Sequence, residues 1–226
     1  MLFNSIIFIT VFLPIALLGW FLLQRLENPI YAKLFIVGMS FWFYGYYNLF
    51  YLWILLASIF FNFMFSVLME HTGKPGMRKL LLAVGLLGNI GMLFYFKYFN
   101  FFVDNCNYLL HTDIHLEKIA LPLGISFFTF QQISFVVERY RGTAPHYTLP
   151  DYMFFVSFFP QLIAGPIVLH SELIPQLQER KNRRPSADQF FDGFALFILG
   201  LAKKVLLADS LAVLVNAEYN NIAALD

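Results

Sequence analysis

Two long stretches of this sequence carry no ionisable side chain. Met1 to Gln24 contains no Asp, Glu, Lys, Arg or His, and neither does Leu34 to Met69. A helix of about 20 residues crosses a hydrocarbon core about 30 Å thick, so the second stretch is too long for one crossing. Gly45-Tyr46-Tyr47-Asn48 lies near its middle. Glycine bends the chain there, and tyrosines, like Trp42 and Trp53, suit the headgroup level. The pattern predicts a first helix over 3–23 and then a hairpin of helices over 34–45 and 49–69. The first helix reads as retained rather than cleaved. It has no basic n-region, its apolar run is long, and no small-x-small site follows.

Composition supports a membrane setting. Only 13% of the 226 residues are charged and 59% are hydrophobic, with 29 phenylalanines. Soluble domains carry about 25% charged residues, and a soluble core of this size could not bury so much apolar surface. Disorder, a collagen-like chain and a disulfide scaffold are excluded by the same numbers. A net charge of +1 leaves no basic excess for phosphates, so nucleic acid is not an expected partner. Cys106 is the single cysteine, which permits no internal disulfide and supplies no metal site, since such sites need several ligands. The expected fold is all-α: one polytopic transmembrane helical bundle over 1–226, solvated by membrane lipid.

Further spans are expected over 80–97, with Lys97 snorkelling at its end, and over 119–137. A polar loop, 104–118, joins them. Another helix is expected over 188–208. Lys and Arg favour cytoplasmic loops. An extracytoplasmic N-terminus places Arg25 and Lys33, then Lys74, Arg78 and Lys79, and then Arg139 and Arg141 in the cytoplasm. The basic run Glu179–Arg184 looks cytoplasmic too. The apolar stretch 152–170 therefore starts and ends on one side. It is broken at Pro160 and at Gly165-Pro166. Broken backbone at membrane depth is tolerated only against protein or a wet cavity, so this stretch is expected to be re-entrant and to line a cavity; a kinked transmembrane helix, with one loop on the other side, is the alternative.

Polar residues inside apolar segments are costly and tend to face a bundle interior. Ser126, Thr129, Gln131, Gln132 and Ser134 lie in the fifth span, and Gln131 shares a helix face with Glu138, seven residues on. Gln161 lies between the two breaks, where an amide could serve freed backbone or a substrate carbonyl. Lys203 and Lys204 point to different sides of a helix, so one of them at most readily faces a cavity and could meet phosphates or carboxylates. Interhelical hydrogen bonding and snorkelling are the ordinary alternatives for these residues. His71 and His146 fall in loops. His111 and His115 have i, i+4 spacing but no third ligand, so no metal is expected. His170 stands where the re-entrant stretch returns. No phosphate loop, nucleophile elbow or HExxH motif occurs.

Three ordered stretches carry a family resemblance. They are Leu121-Pro-Leu-Gly-Ile-Ser-Phe-Phe-Thr-Phe-Gln-Gln-Ile-Ser running on to Glu138-Arg-Tyr-Arg-Gly, then Phe158-Phe-Pro-Gln-Leu-Ile-Ala-Gly-Pro-Ile, and Gly200-Leu-Ala-Lys-Lys-Val-Leu-Leu-Ala-Asp209. With Phe94-Tyr-Phe-Lys-Tyr-Phe-Asn100, the chain resembles the membrane-bound O-acyltransferase family, in its alginate O-acetyltransferase branch, related to the D-alanyl transferases of teichoic acid. Leu169 stands where relatives often have Arg before the histidine, which removes a cation from that position.

The resemblance implies an enzyme about twice this long, with its catalytic histidine in the second half. No catalytic residue is then expected in this chain. It would be the N-terminal part, inactive alone, with the family histidine C-terminal to Asp226. An acyl thioester (acetyl-CoA or an acyl carrier) would donate from the cytoplasm, with no bound cofactor. The acetyl group would pass to hydroxyls of an exported polysaccharide, through an extracytoplasmic partner protein. The expected location is the bacterial inner membrane. Gln131, Gln161, Gly165, Pro166 and His170 would shape the cavity, and Lys203 or Lys204 would meet the donor's phosphates. A small non-enzymatic membrane protein, such as a channel, transporter subunit or assembly scaffold, is the alternative.

Overall fold

The computed structural model describes residues 1–111, 119–163, 165–166, 168–179 and 186–222. His115 and the basic run from Arg180 to Arg184 lie outside the described residues. Among the described residues every regular element is helical.

The chain opens with a wide π-helical turn, Phe8–Phe12, that runs into α1, Leu13–Leu23. Pro14 sits in the first turn of α1. A proline ring crowds the carbonyl four residues earlier and offers no N–H, and a wide turn just ahead of it relieves both. Next come α2, Ile30–Gly45, and α3, Leu49–His71. The bend between them is three residues long because Asn48 caps α3, its Oδ1 accepting the Phe50 N–H at 2.8 Å.

The fourth helix is longer than the sequence suggests. α4, Pro75–Leu93, continues through a π-turn, Phe94–Tyr98, into α5, Phe99–Leu110. Pro75–Leu110 is thus one rod of 36 residues, about 54 Å long. Lys97 lies inside it, near Ser126 Oγ at 3.5 Å, rather than at its end. The expected loop over 104–118 is helical up to Leu110. Asp104 and Asn105 are exposed on this rod, so their polarity marks a helix surface and not a loop. His111 ends the helix in the left-handed region, at φ 50°, a conformation that histidine tolerates better than most residues.

α6, Ile125–Arg141, starts at Gly124 and stops at Gly142. Residues 119–124, expected in the same helix, are not helical. α7, Leu149–Ser157, ends at Phe158, whose backbone is non-helical, and α8, Phe159–Leu162, is a single turn. Pro160 lies in that turn's opening, where a missing N–H costs nothing. The break therefore falls two residues before the proline. Ser40 Oγ of α2 accepts the Phe159 N–H at 3.2 Å and caps the freed backbone. α9, His170–Gln178, follows. Finally α10, Ala187–Ala202, passes through a π-turn, Lys203–Ala208, into α11, Asp209–Ile222. This is one continuous helix, well beyond the expected end at residue 208.

Two apolar clusters form the core. One gathers Tyr44, Leu55, Ile59, Phe128, Phe135, Tyr152, Phe155 and Val156. The other gathers Phe8, Phe12, Ala16, Ile36, Phe43, Phe154 and Phe159. Neighbouring residues of α7 enter different clusters, so α7 is the partition between them. α2 packs on α1, α3 and α7, and α6 packs on α3, α4 and α7. Around this core the surface stays apolar, with Leu18, Phe50, Trp53, Leu87, Phe101 and Leu214 well exposed. Leu49–His71 and Pro75–Leu110 are each long and apolar enough to cross a bilayer, which suits an outer surface solvated by lipid.

Candidate functional site

Three polar constructions hold the apolar helices in register. The deepest joins α3, α4, α6 and α7. Asn62 and Asn89 exchange amide hydrogen bonds, Asn89 Nδ2 donating to Asn62 Oδ1 at 2.6 Å and Asn62 Nδ2 to Asn89 Oδ1 at 3.1 Å. Asn62 Nδ2 also reaches Gln132 Oε1 at 2.7 Å. Gln132 Nε2 donates to Ser58 Oγ at 3.0 Å, and Tyr152 Oη donates to Gln132 Oε1 at 3.3 Å. All five side chains are buried. A saturated amide network in an apolar interior is directional and so selects one helix register.

The second construction is a clasp around His170. Its Nε2 is 2.9 Å from Glu138 Oε2, and its Nδ1 is 3.1 Å from the Tyr147 hydroxyl. The ring is 1% exposed and meets Phe135, Tyr147 and Phe155 edge to face. A carboxylate can only accept, so Nε2 carries a proton. In the neutral ring Nδ1 then accepts from the tyrosine. Burial, followed by the Asp151 and Glu138 charges, pushes the Tyr147 phenol up, which keeps that donor protonated. Both ring nitrogens are thus engaged by the protein, and His170 clamps α6 to the start of α9. The whole stretch 148–169 leaves from this clasp and returns to it.

The third construction fixes the start of α7. Asp151 accepts from the Thr148 N–H at 3.1 Å and from its hydroxyl at 2.5 Å, and it pairs with Lys33 of α2. Burial alone would raise the Asp151 carboxyl, but the hydrogen bonds from Lys33 and Thr148 and the Lys33 charge outweigh it and hold the group below its ordinary value. At the far ends of α3, α4 and α6, His146 Nδ1 lies 2.9 Å from Glu70, with Arg139 3.8 Å away on the same carboxylate. Arg78 donates to the Tyr140 carbonyl at 2.8 Å.

The residues singled out from sequence fall into separate places. Gln161 Nε2 donates to the Phe155 carbonyl at 2.7 Å, bridging the break between α7 and α8. Gly165 N–H returns to the Gln161 carbonyl at 3.2 Å. A Cβ at Gly165 would lie 2.5 Å from Gln161 Cα, so this close turn needs glycine. Pro166 is exposed beside it, and Gln131 is buried on α6. Lys203 and Lys204 are exposed in the π-turn after α10, where Lys204 pairs with Asp209. Among the described residues no hydrogen bond or ion pair joins either lysine to Gln131, Gln161 or His170. Asn62 and Asn89 were not singled out, although lone amides inside runs of apolar residues are the signal that finds such partners.

No protein-family model matches the chain, and no solved structure does. Curated relatives do. The chain is 38% identical to a peptidoglycan O-acetyltransferase of Helicobacter pylori, an alignment that covers 94% of this chain and 45% of the relative. It is 37% identical to a probable alginate O-acetylase of Pseudomonas putida, over 94% of this chain and 44% of the relative. A shorter stretch, 38% of the chain, is 28% identical to a teichoic acid D-alanyltransferase of Streptococcus thermophilus. The chain spans a little under half the length of the first two. Along nearly its whole length, and through the three ordered motifs and the apolar helices that carry them, the chain is thus similar to part of the O-acetylases named for peptidoglycan and alginate, consistent with the membrane-bound O-acyltransferase resemblance.

Proposed function

We propose that this chain is the N-terminal part of a multi-pass membrane O-acyltransferase. The enzyme moves an acetyl group from a cytoplasmic thioester to hydroxyls of an exported polysaccharide. The observation that carries the reading is the 33–38% identity, over almost the whole chain, to relatives named as O-acetyltransferases or O-acetylases of peptidoglycan and alginate. In the reaction an acceptor hydroxyl attacks the thioester carbonyl, a histidine of the second half takes its proton as general base, and the thiolate leaves with a proton. The products are an O-acetyl ester and a free thiol.

Donor and acceptor lie on opposite sides of the bilayer, so the enzyme needs a thin wall. Stretch 152–170 supplies it as a re-entrant segment. Its support is that Tyr147 and His170, at its two ends, touch, and that its broken backbone is capped by Ser40 and Gln161. Gln131, Gln161, Gly165 and Pro166 shape the cavity behind it. Lys203 or Lys204, both exposed in the π-turn after α10, meets the donor phosphates. Arg78 contacts the end of α6, which supports a common cytoplasmic side for the α3–α4 loop and Arg139–Arg141, and hence an extracytoplasmic N-terminus. An extracytoplasmic partner protein accepts the acetyl group and relays it to the polysaccharide.

The test is the acetyl-ester content of the exported polysaccharide in cells whose chromosomal copy of this gene carries Gln161→Ala or Lys203→Ala. Esters fall while the protein level holds. Unchanged esters in both variants would remove the site roles, and unchanged esters after deletion of the gene would remove the function. Cysteine labelling at Ser171 and Thr148, with Cys106 replaced by serine, reports the topology. Labels on opposite faces would refute the re-entrant segment.

A further inference from the structure

Beside the second core cluster lies a cavity of about 740 Å³. Its walls come from α1, α2 and α7 to α10, with Phe8, Trp20, Phe158, Leu177 and Phe197 among them. Leu17 of α1 and Gly200 of α10 also line it, and both are exposed. The cavity is therefore open between these two helices. Lys204 is the one charged residue among the described residues that line it.

What fills this space follows from its chemistry. Water alone does not, because a wall that is apolar apart from Asn4, Gln176 and Lys204 gives it few polar partners for so large a space. A void is disfavoured, since lining atoms without neighbours forfeit their dispersion contacts. The size is that of a ligand pocket, and the opening is framed by apolar side chains of two helices that face outward into lipid. Lipid hydrocarbon is thus the apolar matter nearest to hand. The cation at the rim is Lys204, which pairs with Asp209 and whose side chain is 53% exposed, so its remaining N–H donors can reach a phosphate while its stem stays on the wall.

We propose that this cavity is a lipid site, which takes one acyl chain of an anionic bilayer phospholipid and holds the lipid phosphate at Lys204. The bound chain then replaces the missing neighbours of α1 and α10 and ties the last long helix to the core. The proposal needs the protein to lie in a bilayer and needs nothing of the acyl-transfer reading.

Gly200 offers a clean test, because a Cβ there meets nothing within 4 Å. Gly200→Trp puts a ring into the cavity without moving backbone. Gly193, on the same helix, is equally open and is not among the residues lining the cavity, so Gly193→Trp is the matched control. The chain is extracted in detergent from vesicles of phosphatidylglycerol and phosphatidylethanolamine, and retained lipid is counted by native mass spectrometry. One phospholipid per chain, enriched in phosphatidylglycerol, is expected for the wild type and for Gly193→Trp, with loss of it in Gly200→Trp. Lys204→Ala should keep the lipid and lose the enrichment. Equal retention in Gly200→Trp and wild type would overturn the lipid site. So would a wild-type chain that retains no lipid, since the cavity would then take a protein segment. An unchanged headgroup ratio in Lys204→Ala would overturn the phosphate assignment.

Discussion

The Tyr147 hydroxyl and His170 Nδ1 are 3.1 Å apart, at either end of the most broken stretch of the chain. Between them the backbone runs out through α7, breaks at Phe158, makes one turn and comes back. The contact makes the excursion a closed loop whose ends cannot drift independently. Glu138, on His170's other nitrogen, anchors that loop to α6.

Removing the imidazole should open the clasp. His170→Ala strands the buried Tyr147 hydroxyl and one Glu138 oxygen, and a stranded buried polar group costs about 1–3 kcal/mol. The expected result is a lower Tm in detergent, together with faster proteolysis between residues 147 and 170. His170→Gln restores one of the two bonds and should fall between wild type and alanine. A wild-type Tm for His170→Ala would show that the clasp contributes nothing.

The amide pair Asn62–Asn89 predicts a coupling. Either single change to leucine leaves the other asparagine buried without its partner, at about 1–3 kcal/mol. The double change removes both amides of the pair, so its cost should be well below the sum of the singles. Thermal unfolding of the three variants measures this. Additive costs would mean that the two amides act separately.

Two glycines with similar backbone conformation should respond differently to alanine. Gly124 has φ +71° and Gly142 has φ +77°, so both substitutions carry the strain of a left-handed residue, about 1–2 kcal/mol. At Gly124 the new Cβ would also lie 2.4 Å from the Leu162 carbonyl oxygen, whereas at Gly142 it meets nothing within 4 Å. Gly124→Ala should therefore lower Tm clearly more than Gly142→Ala, and it should loosen the contact between the start of α6 and α8.

Asp151 predicts an acid dependence. Its carboxyl is held below the ordinary value of about 3.9, so the unfolded chain binds a proton more readily than the folded one. The stabilisation is complete above about pH 4 and is lost as pH falls through the lower, folded value. Asp151→Asn lacks this contribution. The Tm gap between wild type and Asp151→Asn should be constant from neutral pH down to about pH 5 and should shrink below about pH 4. A gap that ignores pH would assign the effect to packing rather than to the Lys33 pair.

The sequence by itself determined the solvent and the class of fold. Stretches without a charge cannot be solvated by water at this density of phenylalanine, and an apolar chain in lipid must satisfy its own backbone, which makes it helical. The helices around Gly45–Asn48 and the breaks near Pro160 and Gly165 were legible for the same reason, because bend and proline chemistry is local. Helix ends were less so. Asp104 read as loop, yet the helix runs to Leu110, since an exposed helix surface accommodates a charge as well as a loop does. Only the tertiary structure decided which polar groups meet. Asn62 with Asn89, Glu138 with His170 and Lys33 with Asp151 are pairs far apart in sequence, brought together by the packing of helices. In an apolar interior each donor must find an acceptor wherever the fold puts one, and spacing along the chain does not reveal where that is.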